Sequence, residues 1–82
     1  MHQPPELVVH LFAAARELAG RDSVTVSAAS VGELRRRLSE QFPRLGPLLA
    51  RSAVAVNHDF ADDSRPLAPG DEVAIIPPVS GG

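Results

Sequence analysis

The stretch that begins Ser30-Val31-Gly32-Glu33 limits the fold of this chain more than any other. Ser30 stands three residues before Glu33, the spacing of a capping box: a hydroxyl at the helix start accepts from a free backbone N–H, and a carboxylate reaches back to another. Behind it Val31, Leu34, Leu38 and Phe42 recur at the spacing that lines one helix face. Pro43 ends the pattern, because it lacks an N–H and disfavours helical geometry in the residue before it. One main helix is predicted, running to about Gln41, with a single apolar stripe that must be buried against another layer.

The other periodic segments read mostly as strands. Glu6 to Phe12 is an apolar run bounded by Pro4-Pro5, and Ser23 to Ser27 alternates polar with β-branched residues, the period of a strand with one buried face. Between them Ala13 to Ala19 holds helix formers and stops at Gly20, a residue favoured just past a helix end. After the main helix, Leu45 to Arg51 suits a further turn of helix and Ala53 to Val56 a third strand. Asn57-His58-Asp59 is turn chemistry. Pro69-Gly70 fits a type II turn leading into Val73 to Ile76, the last strand, which Pro77-Pro78 stops because neither proline can donate to a ladder. The order is strand, strand, helix, strand, strand. It predicts an α+β fold of the ubiquitin-like β-grasp kind, a mixed sheet of four to five strands with one main helix on one face. The domain is expected to cover residues 1–76, with 1–5 disordered, and an extended tail to cover 77–82.

Composition then removes whole classes of function. At 82 residues the chain holds one small domain. Its apolar runs fall far short of the roughly 20 residues of a membrane helix, and Met1 to Pro5 lacks the pattern of a secretory signal, so no membrane partner and a cytoplasmic location are expected. The net charge of −2 and the absence of Trp and Tyr argue against a nucleic-acid partner. No cysteine is present, so no disulfide holds the fold and no side-chain thiol can carry sulfur. All eight basic residues are arginine, which leaves no lysine through which copies could be chained.

Within the body nothing resembles a catalytic constellation. His2, His10 and His58 are scattered and give no metal-ligand spacing. Asp59, Asp62 and Asp63 read as a solvated loop, and Arg35, Arg36, Arg37 and Glu40 as a solvated helix face on which Glu33 and Arg37 pair in the favourable order. The tail differs. Pro77-Pro78-Val79-Ser80-Gly81-Gly82 starts stiff and extended and ends in two residues without side chains. It could reach about 20 Å, at roughly 3.3 Å per residue, and thread a channel that any Cβ would block. A frayed Gly-Gly end is the plain alternative, but its place straight after the last strand favours presentation of the carboxylate.

At these positions the sequence resembles the small subunits of molybdopterin synthase, in the MoaD/ThiS family of ubiquitin-like sulfur carriers. That family also includes the thiazole-biosynthesis carrier and a tRNA-thiolation modifier. The resemblance runs through Leu11-Phe12-Ala13, Arg16 to Gly20, Val54 to Asn57, Leu67 to Pro78 and the Val79-Ser80-Gly81-Gly82 end. The diproline before Val-x-Gly-Gly points to the molybdopterin branch.

The resemblance implies a cycle. An E1-like adenylyltransferase would use ATP and Mg²⁺ to convert the Gly82 carboxylate to an acyl-adenylate, and a sulfurtransferase would supply sulfur for a C-terminal thiocarboxylate. The tail, Pro77 to Gly82, would then insert into the large subunit and give its sulfur to cyclic pyranopterin monophosphate. The chain itself would bind no cofactor stably. Sulfur delivery to thiazole, cysteine or tRNA, and a ubiquitin-like modifier or interaction module, stand as alternatives. Alternation puts Val8, His10 and Phe12, and likewise Ala74 and Ile76, on one face, with Leu7, Val9, Leu11, Val73 and Ile75 towards the helix. An exposed apolar face marks an interface, and the resemblance places Phe12, Phe60 and Ile76 at its contact.

Overall fold

The computed structural model describes residues 3–79. The expectations that rest on Met1, His2, Ser80, Gly81 and Gly82 lie outside the described residues.

The capping box forms. The Ser30 hydroxyl accepts from Glu33 N at 3.2 Å, and a Glu33 carboxylate oxygen accepts from Ala29 N, one residue before the cap, at 3.0 Å. Glu33 also pairs with Arg37 one turn on, at 3.5 Å. The helix they start, α2 (Val31–Gln41), buries Val31, Leu34 and Leu38 and gives way at Phe42 to a 3₁₀ turn over Pro43–Leu45. Before it come β1 (Glu6–Leu11), α1 (Ala13–Ala19) and β2 (Ser23–Ser27); after it α3 (Gly46–Leu49), β3 (Ala53–Val56), β4 (Asp59–Ala61) and β5 (Val73–Ile76). Pro5, at the end of the stretch expected to be disordered, accepts from Ala28 N at 3.1 Å.

The sheet order is β2-β1-β5-β3-β4. β1 pairs with β5 in parallel, and the remaining pairs are antiparallel, so the sheet is mixed and the first and last strands of the chain lie together at its middle. This is the ubiquitin-like β-grasp. β4 was not foreseen as a strand: Asp59, read as part of a turn, is its first residue. Three residues carry too little periodicity to announce a strand, and its existence depends on the hairpin that brings it to β3. Asn57 and His58 have φ of +51° and +73°, the paired positive angles of a two-residue type I′ hairpin. At the other predicted turn Asp71 N donates to Ala68 O at 3.1 Å and Gly70 has φ of +89°, which its missing Cβ allows without strain.

The core lies between the sheet and α2. Leu7, Val9 and Leu11 from β1, and Val73 and Ile75 from β5, are each at most 2% exposed and meet Val31, Leu34 and Leu38. Around the helix, one predicted surface residue is reassigned. Arg35 is not part of a solvated face: its Nε donates to Asp63 at 2.8 Å, and its Nη1 donates to the carbonyls of Leu49 and Ser52. Hydrogen bonds from a charged donor contribute about 1.5–3 kcal/mol where water is excluded. Asp63 is largely exposed, so the ion pair itself contributes less than the carbonyl contacts. Asp62 and Asp63 are likewise part of a built loop. Asp62 accepts from the hydroxyl and then from the backbone N–H of Ser64, which holds its carboxyl below the ordinary aspartate value.

Candidate functional site

The helices cover one face of the sheet, and the described residues leave the other face open. Because side chains alternate along a strand, the residues between the core positions point to this open side: Val8 at 49% exposed, Phe12 at 51% and Ile76 at 36%. Phe60, on edge strand β4, adds 74%. The three residues named from the resemblance, Phe12, Phe60 and Ile76, are thus brought to one hollow, which His10 from β1 and Ala74 from β5 also line.

Register explains the shape of this hollow. His10 pairs with Ala74, Ala74 with Ala55, and Ala55 with Phe60, so one row across four strands has two large residues outside and two alanines inside. Phe12 and Ile76 follow one residue beyond the Leu11–Ile75 pair, and Glu72 precedes Val73 on the same face as Ala74. The hollow has a volume of about 300 Å³. Ala55, His58 and Glu72 were not foreseen as part of it. The small residues at Ala53 and Ala55 were a visible signal, but which residues flank them depends on strand register.

Hydrogen bonds hold the far edge of the hollow in place. Asn57 Nδ2 donates to Asp71 at 3.0 Å, Glu72 N donates to Asn57 Oδ1 at 3.0 Å, and Asn57 N donates to Glu72 O at 2.8 Å. The hairpin turn that carries His58 and leads to Phe60 is therefore tied to the start of β5. Asp71 also accepts from Ala68 N, and these donors, with Ala68 first and Asn57 second, lower its carboxyl pKa.

The tail leaves from the same place. Ile76 lines the hollow, Pro77 is buried directly after it, and Pro78 and Val79 are exposed. A chain that continues from Pro78 starts at the rim of the open face. No group of three or more metal-ligating side chains gathers among the described residues, and no helix of the described chain is long and apolar enough to cross a membrane.

Residues 9–82 match the model of the ThiS family. The chain is 39% identical over 80 residues to the molybdopterin synthase sulfur carrier subunit of Arabidopsis thaliana, covering 94% of this chain and 83% of that one. It is 40% identical over 78 residues to the protein of the same name from Escherichia coli, covering 90% and 96%. Among solved structures, small archaeal modifier protein 1 from Methanosarcina acetivorans superposes with a TM-score of 0.87 at 26% identity over the whole of both chains. The complex of subunits 1 and 2 of the molybdopterin-converting factor from Helicobacter pylori contains a chain that superposes at 0.70 with 27% identity, covering 94% of this chain and 99% of that one. From the matched length, the identities and the shared β-grasp, the chain belongs to the ThiS family.

Proposed function

We propose that this chain is the sulfur-carrier subunit of a molybdopterin synthase, working in the cytoplasm, with Gly82 as the site that carries the sulfur. The observation that carries the reading is the meeting of an apolar hollow and a tail at the end of the central strand β5. A partner seated on Phe12, Phe60 and Ile76 lies where the chain departs at Pro77-Pro78. The relatives named as sulfur carriers of molybdopterin synthase support it, as does the likeness to a subunit solved in complex with its second subunit.

The chemistry follows from the reactivity of a carboxylate. A carboxylate is a poor electrophile until one oxygen is part of a good leaving group. An E1-like adenylyltransferase, with ATP and Mg²⁺, lets the Gly82 carboxylate oxygen attack the α-phosphorus and release pyrophosphate. A sulfur nucleophile supplied by a sulfurtransferase then displaces AMP and leaves a thiocarboxylate. The tail from Pro77 through Val79, Ser80 and Gly81 takes this end into the large subunit. There the sulfur passes to cyclic pyranopterin monophosphate, and the catalytic side chains are the partner's. This chain contributes docking, reach and the sulfur donor, and it binds no cofactor stably. With no cysteine in the sequence, the terminal carboxyl is its one group suited to carry sulfur.

Removing Gly82 is expected to abolish sulfur transfer and to leave the thermal midpoint unchanged, because the residue lies beyond the last strand. Retained transfer would refute the mechanism. A second reading, that the chain modifies other proteins, has one observation in its favour, the superposition on small archaeal modifier protein 1. Intact mass of the native protein separates the two: a carrier shows exchange of one carboxyl oxygen for sulfur, whereas a modifier appears in amide linkage to a target amine.

A further inference from the structure

Ala55 and Ala74 face each other across the β3–β5 pair, and apart from Ala53, which pairs with Ile76, the positions around them carry larger side chains. His10 stands beside Ala74 and Phe60 beside Ala55; Phe12 and Ile76 close the tail end, and His58 and Glu72 close the other. The floor is apolar, two walls are aromatic, and the wall away from the tail is polar. Ala55 is only 7% exposed, so the alanines lie at the bottom of a depression and not on a flat patch.

We propose that this depression is a socket for one aromatic side chain with a polar edge, a tyrosine or a tryptophan, projecting from the large subunit. Ala55 and Ala74 set that specificity by their small size. The inference rests on the docking reading above and adds the chemistry of what docks. An aromatic ring on the alanine floor meets Phe12 and Phe60 in the offset or edge-to-face arrangements that aromatic pairs prefer. The hydroxyl of a tyrosine, or the indole N–H of a tryptophan, then falls on the His58 and Glu72 side, where an acceptor is at hand. An aliphatic side chain would fill the floor but offer nothing to the exposed His58 and Glu72 on that wall. Tyrosine and tryptophan are also, with arginine, the residues enriched at the desolvated centre of an interface. The socket is continuous with the tail through Ile76 and Pro77, so a partner that receives the tail has this depression beneath it.

Two measurements test the proposal. Ala74→Leu fills the socket from its floor with atoms that point away from the core. It is expected to weaken binding to the large subunit at least tenfold with little change in thermal midpoint; wild-type affinity in the folded variant would overturn the socket. The wild-type chain alone is then titrated with N-acetyl-tyrosinamide and, separately, with N-acetyl-leucinamide while its methyl resonances are followed. The tyrosine probe is expected to move the Ala55 and Ala74 methyls saturably and the leucine probe to leave them nearly unmoved; equal responses, or shifts scattered over the surface, would overturn it. Because this second arm needs no partner, it separates the two ideas. A chain that selects the aromatic probe but binds no large subunit defeats the docking reading, whereas one that binds the large subunit and shows no selectivity defeats the socket.

Discussion

The two faces of the sheet are built from the same strands and differ in almost everything else. On β1 and β5 the residues Leu7, Val9, Leu11, Val73 and Ile75 are at most 2% exposed, while their neighbours Val8, Phe12 and Ile76 stand open to solvent. Both sets are apolar. β2 alternates apolar with polar, as a strand with one wet side does, whereas β1 and β5 turn these apolar side chains outward as well. Here the inner set is spent on folding and the outer set is available for association. One face therefore answers to stability and the other to a partner, and substitutions on the two should move different measurements.

The largest effect is expected on the closed face. Leu34→Ala removes a fully buried side chain from α2 where it meets the sheet and should lower stability by about 2–5 kcal/mol in denaturant unfolding. A loss below 1 kcal/mol would mean that the core repacks and that the contrast between the faces is weaker than stated.

Next comes the open face, where Ile76→Asp or Phe12→Ala should weaken association with the large subunit by about 2 kcal/mol or more. Their unfolding free energies should change much less than their affinities, since both side chains already face solvent in the free chain. Equal losses in folding and binding would remove the distinction between the faces.

The smallest expected effect concerns the edge of the hollow. The Asp71 carboxyl is held below the ordinary aspartate value by the Ala68 N–H and then by Asn57. A lowered native pKa means that its contribution is present above the unfolded value and is lost as pH falls through the native one. The thermal midpoint of Asp71→Asn should thus lie slightly below wild type at neutral pH, and the gap should close below about pH 4. The group is solvent-exposed, so the gap is small. A gap constant across that range would show that the carboxylate charge plays no part in fixing the turn.

Much of the molecule was legible because its signals are local. The Ser30–Glu33 box, the stripe of Val31, Leu34 and Leu38, and Pro43 bound α2 within a few covalent bonds of the atoms they cap, and α2 runs over Val31–Gln41 as the pattern predicts. The β2 and β5 boundaries follow from alternation and from Pro77, and alternation also assigned Phe12 and Ile76 to the outer face. The hollow was legible in part: alternation named His10, Phe12, Ala74 and Ile76 and the family resemblance added Phe60, whereas Ala55, His58 and Glu72 could not be named in advance.

Sequence by itself determined the main elements, the apolar residues on both faces of β1 and β5 and the lack of any thiol that could stand in for the terminal carboxyl, since each depends on residue type and short-range spacing. Only the tertiary structure decided that β1 lies parallel to β5, that Ala55 and Ala74 meet at the floor of a hollow, and that Arg35 joins α2 to the carbonyls of Leu49 and Ser52. These are pairings between residues far apart in the chain. Period and propensity act over one or two turns of backbone, and no local preference specifies which distant strand or carbonyl will complete a contact once the core has closed.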